Sequence, residues 1–145
     1  MILFSCEIEL TRNINCKMNK LIIDAAKDKI FLMIINNDTN YSITHENSKI
    51  NYEKLSILID DFLNKKKLKL DKFSQIYVNR GPGSFAGIRN SLSVVKAFHL
   101  THKIDYYCFS FEDFSEKYEV KYENIPNLCD KLKVEKNLIN PIYLG

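Results

Sequence analysis

The chain is poor in glycine, and three of its four glycines fall within seven positions, Gly81-Pro82-Gly83-Ser84-Phe85-Ala86-Gly87. A sequence so sparing of glycine keeps it where the backbone needs positive φ or close approach to another group. Proline is as scarce, and one of the three lies inside the same cluster. Arginine is limited to Arg12, Arg80 and Arg89 in a lysine-rich chain, and two of these flank the turn. An arginine in such a background implies a use for its planar fork that lysine cannot serve. The four cysteines, Cys6, Cys16, Cys108 and Cys129, show no C-x-x-C spacing. They read as reduced thiols of a cytoplasmic protein. No apolar run approaches the length of a membrane span, so no membrane partner is expected. A net charge of +3 from 21 basic and 18 acidic residues argues against a dedicated nucleic-acid binder. The one basic run, Lys65-Lys66-Lys67-Leu68-Lys69, falls where it complements a helix C-terminus.

What is present suffices for one domain of 145 residues with a core that needs neither metal nor disulfide. Residues 1–17 carry Glu7 and Glu9 within their apolar part and lack a small-residue cleavage site, so they make a poor signal peptide. Met18-Asn19-Lys20-Leu21-Ile22-Ile23-Asp24 reads as the start of a first strand, and 1–17 as a dispensable extension.

The pattern then gives strands at 21–24, 30–35 and 41–45, and a helix capped by Asn51 running to about Lys66. A fourth strand at 76–78 leads through the glycine turn into a helix over 85–100, with Ser84 as its cap. A fifth strand at 106–109 and a short helix over 111–118 follow. The order βββαβαβα requires an antiparallel meander and then parallel crossovers. That is the mixed five-stranded α/β sheet of a single actin-like or ribonuclease-H-like lobe, here over 18–118. Beyond it, 119–145 reads as a remnant C-terminal tail with one helical stretch.

The two long helices carry wide apolar arcs. Tyr52, Leu55, Leu58, Ile59, Phe62 and Leu63 span roughly 140°, whereas a helix on a sheet needs about 100°. Phe85, Gly87, Ile88, Ser91, Leu92, Val94, Val95, Phe98 and His99 fill roughly half of the second helix. Either the helices cover each other, or a partner covers them.

Enzyme motifs fare poorly at the turn. A Walker loop fails because Gly87 is followed by Ile88 and Arg89. A dinucleotide fingerprint is met formally by Gly81, Gly83 and Ala86, with Glu112 placed for a ribose, but Pro82 stiffens the turn. His99-x-x-His102 has no acidic or cysteine ligand close in sequence and reads as packing or capping, so no metal is expected.

The stretch Asn79-Arg80-Gly81-Pro82-Gly83-Ser84-Phe85-Ala86-Gly87-Ile88-Arg89, with Ser91, Leu92, Val95 and Lys96, resembles the signature of the TsaB (YeaZ) family. Tyr52-Glu53-Lys54-Leu55, Ser110-Phe111-Glu112-Asp113-Phe114 and Pro141-Ile142-Tyr143-Leu144 resemble its first helix, a later segment and its closing strand. The resemblance implies an actin-like fold and a non-catalytic scaffold or dimerisation subunit without cofactor. The partner is TsaD, which with the ATPase TsaE transfers threonylcarbamoyl to the adenosine beside the anticodon of tRNAs reading A-starting codons. tRNA is reached only through that complex. Three positions depart from the family: Asp24 is followed by Ala25 and Ala26 rather than hydroxyls, Asn51 replaces a histidine, and the second lobe is shortened.

The resemblance therefore predicts an apolar strip for the partner, formed by Tyr52, Leu55, Ile59, Phe62, Phe85, Ile88, Leu92 and His99 and edged by Arg89 and Lys96. Alone, the chain is expected to form a homodimer through the same helices. Gly81, Pro82, Gly83, Ser84 and Gly87 are expected to be structural, with Gly87 and Ser91 offering a small-residue patch. The alternative is a small nucleotide-binding enzyme using the turn over 81–87.

Overall fold

The structure, a computed structural model, describes residues 19–37, 39–114 and 120–143. Three strands, β1 (Asn19–Asp24), β2 (Lys29–Asn36) and β3 (Thr39–Glu46), form the meander. Helices α1 (Lys49–Glu53) and α2 (Leu55–Lys65) lead to β4 (Phe73–Asn79), α3 (Phe85–His102), β5 (Asp105–Phe109) and α4 (Ile125–Lys131). The sheet order is β3-β2-β1-β4-β5. β1, β2 and β3 pair antiparallel, whereas β4 pairs parallel with both β1 and β5. This is the mixed five-stranded sheet that the order of elements requires.

Successive side chains of a strand point to opposite faces, and here both faces are covered. Leu21, Ile23, Leu32, Ile34, Ile76 and Val78 meet α2 and α3 through Leu55, Ile59, Phe62, Ile88, Leu92 and Val95. Ile22, Met33, Tyr77 and Phe109 meet Phe114, Ile125, Leu128 and Cys129 on the other face. The near-continuous apolar run of β1 follows, since a strand covered on both sides has no polar face. α4 is the helical stretch expected after 119, and it covers that second face.

Four details differ from the sequence expectation. The first helix is capped by Ser48, whose Oγ accepts from the Asn51 N–H at 3.1 Å, and not by Asn51. The Asn51 side chain instead donates to the Glu46 carbonyl at 2.8 Å, an alternative open to any short amide near a chain reversal. The helix also breaks at Lys54, with φ −109° and ψ 30°, into α1 and α2. In place of a helix over 111–118 there is one 3-10 turn, Phe111–Asp113. Its start is fixed by Ser110 Oγ accepting from Glu112, while Ser110 N–H donates to Asp113; residues 115–118 lie outside the described residues. The described part of the closing strand, 141–143, joins no sheet and is held by the Ile142 N–H donating to the Arg80 carbonyl at 2.7 Å. The extension 1–17 and Leu144 also lie outside the described residues.

The two sheet edges differ. Along β5, Asn137 N–H donates to the Tyr106 carbonyl, Asn137 Oδ1 accepts from the Tyr106 N–H, and Lys136 bridges Tyr107. β3 has no strand on its outer side among the described residues.

Candidate functional site

The glycine turn sits at the C-terminal end of β4, where a buried polar network anchors it. Asn79 Nδ2 donates to Asp24 Oδ1 at 3.1 Å, and Asn79 Oδ1 accepts from the Gly81 N–H at 2.9 Å. Asp24, fully buried, also accepts from the Ala26 N–H at 3.1 Å and the Tyr122 hydroxyl at 2.6 Å. The buried carboxylate thus has three donors, which offsets the cost of removing it from water. Burial, followed by the Asp24 charge, pushes the Tyr122 hydroxyl far above its ordinary range.

Each glycine is required by a carbonyl. A Cβ on Gly83 would lie 2.0 Å from the Ala26 oxygen, and one on Gly87 1.8 Å from the Ala25 oxygen. On Gly81, with φ +111°, it would meet the Ile142 oxygen at 2.2 Å. Phosphate sites are built from N–H groups aimed at open space. Here the Gly81, Ser84 and Gly87 N–H groups are already bonded, to Asn79 Oδ1, Ala26 O and Ser84 Oγ. Ser84 is the α3 cap that its position suggested. The Gly87–Ser91 patch faces inward: both residues are buried, and Gly87 lies against Ala25 and Tyr52.

Arg80 uses its fork as a clamp. Nη2 meets Asp113 Oδ1 at 2.8 Å and Nη1 donates to the Asn140 carbonyl at 3.1 Å. Arg89 is exposed and has no partner among the described residues.

The expected apolar strip is corrected. Tyr52, Leu55, Ile59, Phe62, Ile88 and Leu92 are buried in the core that α1, α2 and α3 share with the sheet. The helices cover each other, and this accounts for the width of both arcs. His99 is half-buried, with Nδ1 2.9 Å from the Ile104 carbonyl and its ring edge-on to Tyr106, a capping and packing role. Of the ten residues expected at the interface, Phe85, Arg89 and Lys96 are exposed. At 100° per residue these three and Leu100 fall within an arc of roughly 60° on α3. Phe85 is 57% and Leu100 64% exposed. Leu100 and Ile57, the latter also 57% exposed, lie outside the two apolar arcs, and an apolar residue off its helix's arc is the sequence signal for such a stripe. A cleft of about 590 Å³ lies beside the stripe between α1 and α3, lined by Lys49, Glu53, Phe85 and Arg89. The outer end of Phe85 leans on Tyr143, with centroids 4.7 Å apart.

Burial pushes the Cys108 thiol up to about 11 and the Cys129 thiol up to about 12, so neither is a nucleophile at neutral pH. Among the described residues no group of His, Cys, Asp or Glu is placed to hold a metal ion, and no helix is long and apolar enough to cross a membrane.

The fold is a single α/β lobe of the actin-like class. Residues 43–110, from β3 through β5, match the family model described as TsaD, tRNA N6-adenosine threonylcarbamoyltransferase. Two solved structures share the lobe: YeaZ from Pseudomonas aeruginosa, and a protein of that organism described as uncharacterized with similarity to peptidase YeaZ. Each is 20% identical with a TM-score of 0.59, and the match covers 63% of this chain. The chain spans 43% of the length of either structure. No curated protein matches the sequence.

Proposed function

We propose that this chain is a non-catalytic scaffold subunit of the cytoplasmic machinery that places threonylcarbamoyl on tRNA, acting by binding TsaD, with TsaE completing the complex. The observation that carries the proposal is the outer stripe of α3, where Phe85 and Leu100 stand exposed beside Arg89 and Lys96, neither of which has a partner among the described residues. Apolar anchors edged by free cations suit a protein surface bearing carboxylates. The match of residues 43–110 to the TsaD family model and the YeaZ-like fold support this choice of partner. The nucleotide-enzyme alternative loses support at the turn, where the Gly81, Ser84 and Gly87 N–H groups are already bonded within the chain.

Co-purification with TsaD of the same organism tests the reading. Phe85→Asp and Leu100→Asp are expected to keep the fold, because both side chains are largely exposed, and to abolish capture of TsaD. Arg89→Glu is expected to weaken it in a salt-dependent way. Wild-type capture by both Asp variants would place the contact elsewhere.

A further inference from the structure

We infer that a cavity on the second sheet face, at the end where β4 and β5 begin, binds a small phosphorylated sugar. The register creates it. Lys20 lies opposite Gln75, and Gln75 opposite Asp105, so one polar row crosses β1, β4 and β5. The next row on that face is Ile22, Tyr77 and Tyr107. α4 covers this second row, with Leu128 and Cys129 in one cluster with Ile22 and Tyr77. Lys20 and Gln75 stay half-buried beyond its cover. The segment after α4 turns at Lys133, with φ 54°, and bridges β5 at Tyr107 through Lys136. Sheet, helix and segment enclose a cavity of about 570 Å³, the size of a small-molecule site.

The polar groups that line it are idle. Lys20, the Tyr107 hydroxyl, Asp130 and Lys133 have no hydrogen-bond or ion-pair partner among the described residues. The Tyr77 hydroxyl donates to Gln75 Oε1 at 2.8 Å, which leaves the Gln75 amide N–H groups free to donate. Lys136 reaches only Asp105, at 3.6 Å. Three lysines thus line the cavity against the single carboxylate of Asp130, a balance that attracts an anion. Flexible ammonium groups suit phosphate oxygens. The carbonyl end of α4 would oppose an anion, but Leu128, Cys129 and Asp130 carbonyls already accept from the Leu132, Val134 and Lys133 N–H groups.

Asp130 asks for more than a bare anion. Its carboxylate only accepts, so the phosphate must arrive on a body that carries donors. A hydroxyl both donates and accepts, which matches Asp130, the Tyr107 hydroxyl and the Gln75 amide alike. The Tyr77 and Tyr107 rings, stacked with centroids 5.1 Å apart, offer the C–H groups of a sugar an apolar floor. The site lies on the sheet face opposite the α3 stripe and does not rest on the function proposed above.

Titration of the full chain with glucose 6-phosphate at fixed ionic strength, followed by two-dimensional NMR, should show saturable binding with amide shifts centred on Gln75, Tyr107 and Lys133. Inorganic phosphate should bind about tenfold more weakly, and glucose not detectably. Lys20→Gln and the exposed change Lys133→Gln should each weaken glucose 6-phosphate by about tenfold. Lys65→Gln, an exposed change at the end of α2 on the other face, should leave it unchanged. Asp130→Asn should tighten inorganic phosphate and narrow the gap between the two probes. Absence of saturable binding overturns the inference. So does a loss on Lys65→Gln equal to that on Lys133→Gln, which is general attraction to a cationic chain. Inorganic phosphate bound by wild type as tightly as glucose 6-phosphate overturns the assignment to a sugar.

Discussion

Tyr122 Oη donates a 2.6 Å hydrogen bond to Oδ2 of Asp24, tying the segment before α4 to the end of β1 across 98 positions of sequence. The Tyr122 ring stacks on Phe31 at 4.0 Å, and Lys27 Nζ stands 3.8 Å over the neighbouring Phe111 ring. The C-terminal half is thereby pinned beside the glycine turn. Tyr122→Phe keeps the ring and strands one carboxylate oxygen, at a cost of about 1–3 kcal/mol. Urea denaturation of the two proteins, compared at equal m-value, measures it.

The glycines make a harsher test. Gly87→Ala drives a methyl to 1.8 Å from the Ala25 oxygen, and neither backbone has a side chain to yield. The expected loss is about 3 kcal/mol or more, in the range reserved for overpacking and backbone clash. Thermal unfolding followed by circular dichroism reads it. A Gly87→Ala variant as stable as wild type would show that the turn and β1 are not in contact.

The sequence announced the sheet and the turn because their determinants are local. The apolar runs Leu21–Ile23 and Ile30–Ile35, the alternation of Tyr41–His45, the glycine clustering and the Ser84 cap each act within a few residues. The site was less legible. A helical wheel shows that Leu55 and Ile88 share a face with other apolar residues, but not that the two faces meet each other. Ala25 and Ala26 read as missing hydroxyls, whereas their backbone carbonyls are what shape the turn. The Asp24–Tyr122 bond joins elements too distant in sequence for any pattern to relate them.

Arg80→Lys is expected to keep one of the two contacts, to Asp113 or to Asn140, because an ammonium cannot span both. The cost should be about 1 kcal/mol. The informative readout is hydrogen exchange at the Ile142 amide, which donates to the Arg80 carbonyl and should exchange faster in the variant.

The two buried thiols set an alkaline limit. Their folded values, raised from 9.0 to about 11 for Cys108 and about 12 for Cys129, lie above the unfolded one. Stability held by the neutral thiols is therefore complete below pH 9 and falls as pH rises toward the folded values. The Cys108→Ala/Cys129→Ala variant should show a shallower alkaline decline. It should not be flat, because burial raises the Tyr77 and Tyr122 hydroxyls as well. A decline unchanged in the variant would mean the thiols are already ionised or exposed in the native protein.

The covered β5 edge bears on growth as much as on stability. Lys136 and Asn137 occupy that side of the sheet, so a copy added there would find no free ladder. Along that side the sheet offers no free run of donors and acceptors, so the edge cannot seed extension of the sheet by another chain.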